Sequence, residues 1–116
     1  MRKYIVIKKY ISESVEPLEL NKGQMVKCIE ESDPNGSWAN WILCEVDSKS
    51  AWVPKQIIER DREIGKIIED YSSIEFNLEI DEILISEKEL NGWIWCYKEK
   101  DDVKKSWAPL NYLSSY

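Results

Sequence analysis

The side chains able to do chemistry in this chain are carboxylates, thiols and an unusual number of aromatic rings. There are 22 Asp and Glu residues and three cysteines, but no histidine, so the commonest general base at neutral pH is missing. Cys28, Cys44 and Cys96 are far apart, form no C-x-x-C pair and have no histidine with which to complete a zinc site. They are expected to be buried, reduced thiols that behave as small hydrophobes. Neighbouring acids such as Glu69 and Asp70 arise by chance in so acidic a chain, and no nucleophile, metal set or phosphate loop accompanies them. The sequence therefore predicts no enzyme and no cofactor. What remains is six Trp and six Tyr in 116 residues, whose chemistry is recognition through apolar, stackable surfaces.

Those rings recur in order. Trp41-Ile42-Leu43-Cys44 returns as Trp93-Ile94-Trp95-Cys96, 52 positions later. Ala51-Trp52-Val53-Pro54-Lys55-Gln56-Ile57-Ile58 returns as Ser106-Trp107-Ala108-Pro109-Leu110-Asn111-Tyr112-Leu113, 55 positions later. Upstream, Val6-Ile7-Lys8-Lys9-Tyr10 matches Ile67-Ile68-Glu69-Asp70-Tyr71. Three blocks in the same order define an internal repeat, with one copy over residues 1–60 and the other over 61–116.

Each copy needs short strands to position its rings. The apolar alternation predicts strands over 4–7, 25–29, 38–46 and 50–53, then over 66–68, 83–86, 93–97 and 106–108. Gly23, Asp33-Pro34-Asn35-Gly36 and Asn91-Gly92 supply the turns. Pro54 and Pro109 lack an amide donor, so the chain is expected to leave its strand there through a short 3₁₀ turn. Five short strands in fewer than 60 residues hide their edges by curling into a small barrel. The fold class is thus all-β, two five-stranded barrels in tandem. Period-2 alternation that buries Ile42 and Cys44 sends Trp41 and Leu43 outward, and it sets Trp93, Trp95 and Tyr97 opposite Ile94 and Cys96.

These residues resemble a Src-homology-3 (SH3) domain twice over. The A-L-Y-D-Y-like opening strand is matched at Val6–Tyr10 and Ile67–Tyr71, and the L-x-F-x-x-G-E turn at Leu18–Gln24 and, loosely, at Phe76–Glu82. The W-W-x-A motif is matched at Trp41 and Trp93, and G-Y-x-P-x-N-Y-V at the Trp52 and Trp107 blocks. The resemblance implies a protein–protein interaction module in which a proline-rich ligand lies as a polyproline II helix across an aromatic groove. In the second copy it places Tyr71, Trp93, Trp107, Pro109, Asn111 and Tyr112 on that groove. In the first it places Tyr10, Trp41, Trp52 and Pro54. Departures fall at Lys8 and Glu69, where the opening motif has its first tyrosine, and at Ile57, where the last tyrosine is absent. The second copy is the better preserved binder, and its loop between Tyr71 and Phe76 is shorter by about three residues than the one between Tyr10 and Leu18.

Charge refines the expected partner. Residues 1–60 hold nine Lys/Arg and nine Asp/Glu, whereas 61–116 hold seven and thirteen. Glu69, Asp70, Glu75, Glu79, Asp81 and Glu82 cluster near the loop that contacts basic ligand residues in this family, so a Lys- or Arg-bearing peptide fits and nucleic acid does not. No apolar run is long enough to span a bilayer, and the N-terminus has no secretory signal, so a cytoplasmic protein without membrane partners is expected. Glu59-Arg60-Asp61-Arg62-Glu63 reads as a short charged connector. Two other roles remain open. The aromatic face could serve interdomain or homodimer packing in a structural or assembly protein, or the barrels could bind cell-wall peptide as some bacterial relatives of the family do.

Overall fold

The computed structural model describes residues 1–12 and 16–116. The strands are β1 (Arg2–Val6), β2 (Glu19–Leu20), β3 (Met25–Glu31), β4 (Trp41–Val46), β5 (Lys49–Pro54), β6 (Ile58–Asp61), β7 (Ile64–Ile67), β8 (Tyr71–Ser72), β9 (Ile83–Leu90), β10 (Trp93–Lys98), β11 (Asp101–Pro109) and β12 (Leu113–Ser115). The expected 3₁₀ turns follow the two prolines, over Lys55–Ile57 and Leu110–Tyr112. Trp38 to Asn40 were expected to lie in β4 and do not. An Asx-type turn precedes them, in which Asn35 N–H donates to Asp33 Oδ1 at 2.9 Å, and Asn40 then takes a left-handed φ of 71° that ends any extended run.

Tight turns set the strand registers. In the β4–β5 hairpin both central residues, Asp47 and Ser48, have positive φ (51° and 68°). Asn91 and Gly92 do the same between β9 and β10 (51° and 87°). Such turns match the right-handed twist of antiparallel strands, and Asn-Gly is the pair that reaches them at least cost.

Strand pairing departs from the tandem plan expected from the repeat. One five-stranded sheet has the order β5-β4-β3-β7-β6 and the other β11-β10-β9-β1-β12. The opening strand of each repeat has gone to the other copy. β6 turns straight back into β7 through Arg62 and Glu63, pairing Asp61 with Ile64 and Ile58 with Ile67. β1 instead fills the gap between β9 and β12, pairing Tyr4 with both Leu84 and Ser115. The compact units are therefore residues 1–15 with 74–116, here unit 1, and residues 16–73, here unit 2. They differ from the contiguous spans 1–60 and 61–116. The charged stretch Glu59–Glu63, read as a connector, is the end of β6 and its hairpin turn.

Each unit has its own core. In unit 2, Val26, Cys28, Ile42, Cys44, Val53 and Ile67 are buried together; in unit 1, Tyr4, Val6, Leu84, Ile94, Cys96 and Ala108 are. The inward places expected for Ile42, Cys44, Ile94 and Cys96 hold, since all four are buried, but Trp41, expected to face outward, is buried as well. The cysteines are free thiols inside these cores. Loss of water pushes the Cys96 thiol up to about 12. Burial, with Cys28 beside it, does the same for Cys44.

Candidate functional site

Unit 1 assembles its aromatic cluster from both ends of the chain. The arm that follows β1 is fixed by a two-way backbone bridge: Tyr10 N–H donates to Leu78 O at 3.0 Å, and Leu78 N–H donates to Tyr10 O at 2.8 Å. This sets the Tyr10 ring edge-on to Trp93 (6.0 Å between centroids) and to Tyr112 (5.0 Å). Edge-to-face geometry at these distances is the favoured arrangement for aromatic quadrupoles. The Tyr10 hydroxyl donates to Glu75 Oε1 at 2.6 Å, and the Ser12 hydroxyl donates to the same oxygen at 3.2 Å. Lys8 Nζ lies 5.8 Å from the Tyr112 ring centroid, within cation–π range. Asn111 is exposed on the 3₁₀ turn beside Tyr112, and Pro109, which starts that turn, is fully buried.

Trp107 lies on the strand next to Trp93 and meets Trp95 across it, with centroids 5.3 Å apart. The segment Ile74–Phe76 is bonded to its backbone: Trp107 N–H donates to Ile74 O at 2.9 Å, and Phe76 N–H donates to Trp107 O at 3.0 Å. Trp93 is 8% exposed and Trp107 5%. Trp93 sits on the strand face opposite Ile94 and Cys96, as alternation requires, yet it is covered.

Unit 2 receives Tyr71. The sequence placed this ring beside Trp93, and the structure places it in the other unit, because the Arg62-Glu63 turn folds β7 back onto β6 and carries residues 68–73 along with it. There the Tyr71 hydroxyl donates to Trp52 O at 3.0 Å, and the half-buried ring packs against the unit 2 core. Trp52 is 41% exposed, Trp41 only 6%, and Pro54 is buried. Ile57 is buried at 5% where unit 1 has the half-buried Tyr112, so this end of the unit 2 site lacks a ring.

The exchange also divides the acidic cluster. Asp70 goes to unit 2, where its Oδ1 accepts the Lys22 N–H at 2.8 Å. Glu75, Glu79, Asp81 and Glu82 stay in unit 1, and most of them are paired there. Glu79 lies 3.7 Å from Lys9 Nζ, and Glu82 lies 2.9 Å from Lys98 Nζ. Counted by unit, residues 16–73 hold seven Lys/Arg against twelve Asp/Glu, and unit 1 nine against ten. The surplus of acid that the sequence assigned to the second copy therefore belongs to unit 2. The longer of the two loops, residues 11–17, includes residues 13–15, which lie outside the described residues.

Sequence reasoning missed Ser12 as a second donor to Glu75 and treated Lys8 only as a lost tyrosine. The pairing of Tyr10 with Leu78 that brings both into place joins residues 68 positions apart and leaves no local mark in the sequence. Among the described residues no group of three or more His, Cys, Asp or Glu could hold a metal ion, and no helix is long and apolar enough to cross a membrane.

Comparison with known proteins agrees with this architecture. The chain is 25% identical over 130 aligned positions to the human protein named SH3 and PX domain-containing protein 2B, and equally so to the mouse (Mus musculus) protein of that name. Each match covers 97% of this chain but 13% of the relative. A family model described as variant SH3 domain matches residues 3–61. With half the chain matched and the same strand plan in both units, the protein belongs to the variant SH3 domain family.

Proposed function

We propose that this protein binds an extended, proline-containing and basic peptide segment, chiefly through the aromatic cluster of unit 1. Membership in the SH3 family makes it a protein–protein interaction module; the ligand class and the groove are the further step. The observation that carries this step is the convergence of Tyr10, Trp93 and Tyr112, with ring centroids 5.0 and 6.0 Å apart, beside Pro109 and the exposed Asn111. Rings set edge to face leave ridges between which a proline ring can seat, and a polyproline II ligand loses little conformational entropy on docking. The net charge of −6 favours a Lys- or Arg-bearing partner over a phosphate-bearing one. Among the sites first placed in the second copy, Trp93, Asn111 and Tyr112 remain in this proposal, with Tyr10 taking the place of Tyr71. The buried Pro109 serves only to start the 3₁₀ turn that presents Asn111 and Tyr112.

Titration of ¹⁵N-labelled protein with a proline-rich peptide carrying Arg or Lys tests it. The Trp93 indole and Tyr112 amide signals are expected to shift together and saturate. Unmoved signals at millimolar peptide overturn the reading.

A second reading is favoured by the burial of Trp41 and Trp93, at 6% and 8% exposed. Here the tryptophans serve packing in a structural or assembly protein and do not contact ligand. The same titration separates the two readings: in this one, neither indole signal shifts whatever peptide is added.

A further inference from the structure

The two opening strands are near-equivalents, so something must decide which sheet each enters. Register alignment shows what differs. Val6 stands opposite Leu113 as Ile67 stands opposite Ile58, and either apolar side chain suits either core. Two residues earlier the match fails. Tyr4 faces Leu84 in unit 1, and the residue in the same place of unit 2, facing Val26, is Gly65.

The space at Gly65 is closed. A Cβ added there would lie 2.6 Å from Ile58 Cγ2, 3.0 Å from Cys28 Sγ and 3.3 Å from Val26 Cγ2. The first of these is a branched methyl fixed close to the backbone, so it cannot swing aside as a long side chain could. In unit 1 the same place holds a whole phenol ring, 7% exposed within the core. The neighbour that corresponds to Cys28 is Ser86, since Cys28 pairs with Cys44 as Ser86 pairs with Cys96. The smaller atom thus sits beside the larger residue in unit 1, and the larger atom beside glycine in unit 2.

We infer that Tyr4 and Gly65 form a size key that enforces the strand exchange and thereby decides which tyrosine meets Trp93. A contiguous pairing would force the Tyr4 ring into a site with no room for one carbon. It would also leave a void the size of a phenol ring in unit 1. Tyr4 acts as a positioning residue: anchoring β1 in unit 1 brings Tyr10 to Trp93, while Gly65 allows β7 to close unit 2 and carries Tyr71 to Trp52. This holds whether or not the aromatic cluster binds peptide.

The test uses the full chain with Tyr4→Gly, Gly65→Tyr and both together. Two quantities are read: the folding equilibrium constant from urea titration, and which tyrosine ring shows a nuclear Overhauser contact to the Trp93 ring. Gly65→Tyr is expected to lower the constant about 10- to 100-fold, and Tyr4→Gly, which empties a ring-sized place in a core, about 100- to 1,000-fold. The double change is expected to recover most of that loss and to move the Trp93 contact from Tyr10 to Tyr71. Losses that multiply in the double variant, a retained Tyr10–Trp93 contact, or a double variant that does not fold would each overturn the key. Gly65→Ala gives an independent reading in a milder variant. It should lower the constant about tenfold with the Tyr10 contact intact, and wild-type stability there would show that the site has room after all.

Discussion

Unit 2 is closed by a hairpin and unit 1 by a strand that arrives from the far end of the chain. In unit 2, β7 follows β6 after two residues, so the last pairing is local. In unit 1 the equivalent pairing joins Tyr4 to Ser115. The loops in front of the tryptophans differ too. Nine residues without strand, 32 to 40, separate the end of β3 from Trp41, whereas Asn91-Gly92 alone precedes Trp93. Trp52 is 41% exposed while its counterpart Trp107 is 5% exposed, and unit 2 carries most of the negative charge. From one repeated sequence, the chain has made one unit with a local closure and another whose aromatic cluster exists only when residues 1–12 have docked. The two copies have diverged in how they are closed as much as in what they present.

The comparison predicts how each unit responds to damage. Ile94 and Ile42 hold equivalent places at the centre of the two cores, and both are at most 1% exposed. Ile94→Ala should cost about 2–5 kcal/mol. Amide exchange should accelerate in β9 and β10 but not in β3 and β4, with the reverse pattern for Ile42→Ala. Equal acceleration in both sheets would break the picture of separate cores.

Next in size is the asymmetry between binding faces. Tyr112→Ala should weaken a proline-rich basic peptide about tenfold, roughly 1.4 kcal/mol, because it removes one of the three rings. Trp52→Ala should change the affinity less than twofold. Reversed effects would move the site to unit 2.

The thiols give a pH test. Cys44 and Cys96 are each pushed up to about 12 when folded, well above the usual thiol range. Their folded forms hold protons that the unfolded chain releases. This contribution is therefore complete below the unfolded thiol value and is lost as pH rises toward 12. Each thiol adds at most about 1.4 kcal/mol per pH unit to that decline. Cys96→Ala should flatten the fall of stability between pH 9 and 11 relative to wild type, since lysine and tyrosine titrations are common to both proteins. Parallel curves would show that the thiol already reaches water.

The smallest effect concerns Ser106. It pairs with Cys96 as Ala51 pairs with Cys44, so unit 2 already shows what a methyl does in that place. The Ser106 Oγ is buried and has no hydrogen-bond partner among the described residues. Ser106→Ala should stabilise unit 1 by up to about 1 kcal/mol, read as a rise in the urea midpoint at unchanged m-value. A loss of that size would reveal a partner for the hydroxyl.

Much of this was legible in advance because it is local. The Trp41 and Trp93 strands, the 3₁₀ turns after Pro54 and Pro109, and the Asn91-Gly92 turn all follow from residues within a few positions of one another. So does the inward set of Ile42, Cys44, Ile94 and Cys96. The ends of β4 and β11 were less legible. A left-handed Asn40 trims the first, while pairing with β10 carries the second back to Asp101, far ahead of the expected Ser106. The variant SH3 match over residues 3–61 follows chain order, as motifs must, and so crosses both units.

By itself the sequence determined two all-β copies, their strands, their turns and the rings that recur in each, since alternation and turn chemistry act over neighbouring residues. Only the tertiary structure decided which opening strand belongs to which sheet, and with it that Tyr10 and not Tyr71 stands against Trp93. Val6 and Ile67 satisfy the same pattern and suit either core. The choice rests on volume available at one buried place, where Ile58, Cys28 and Val26 close around Gly65, and such a limit appears only when residues distant in sequence have packed.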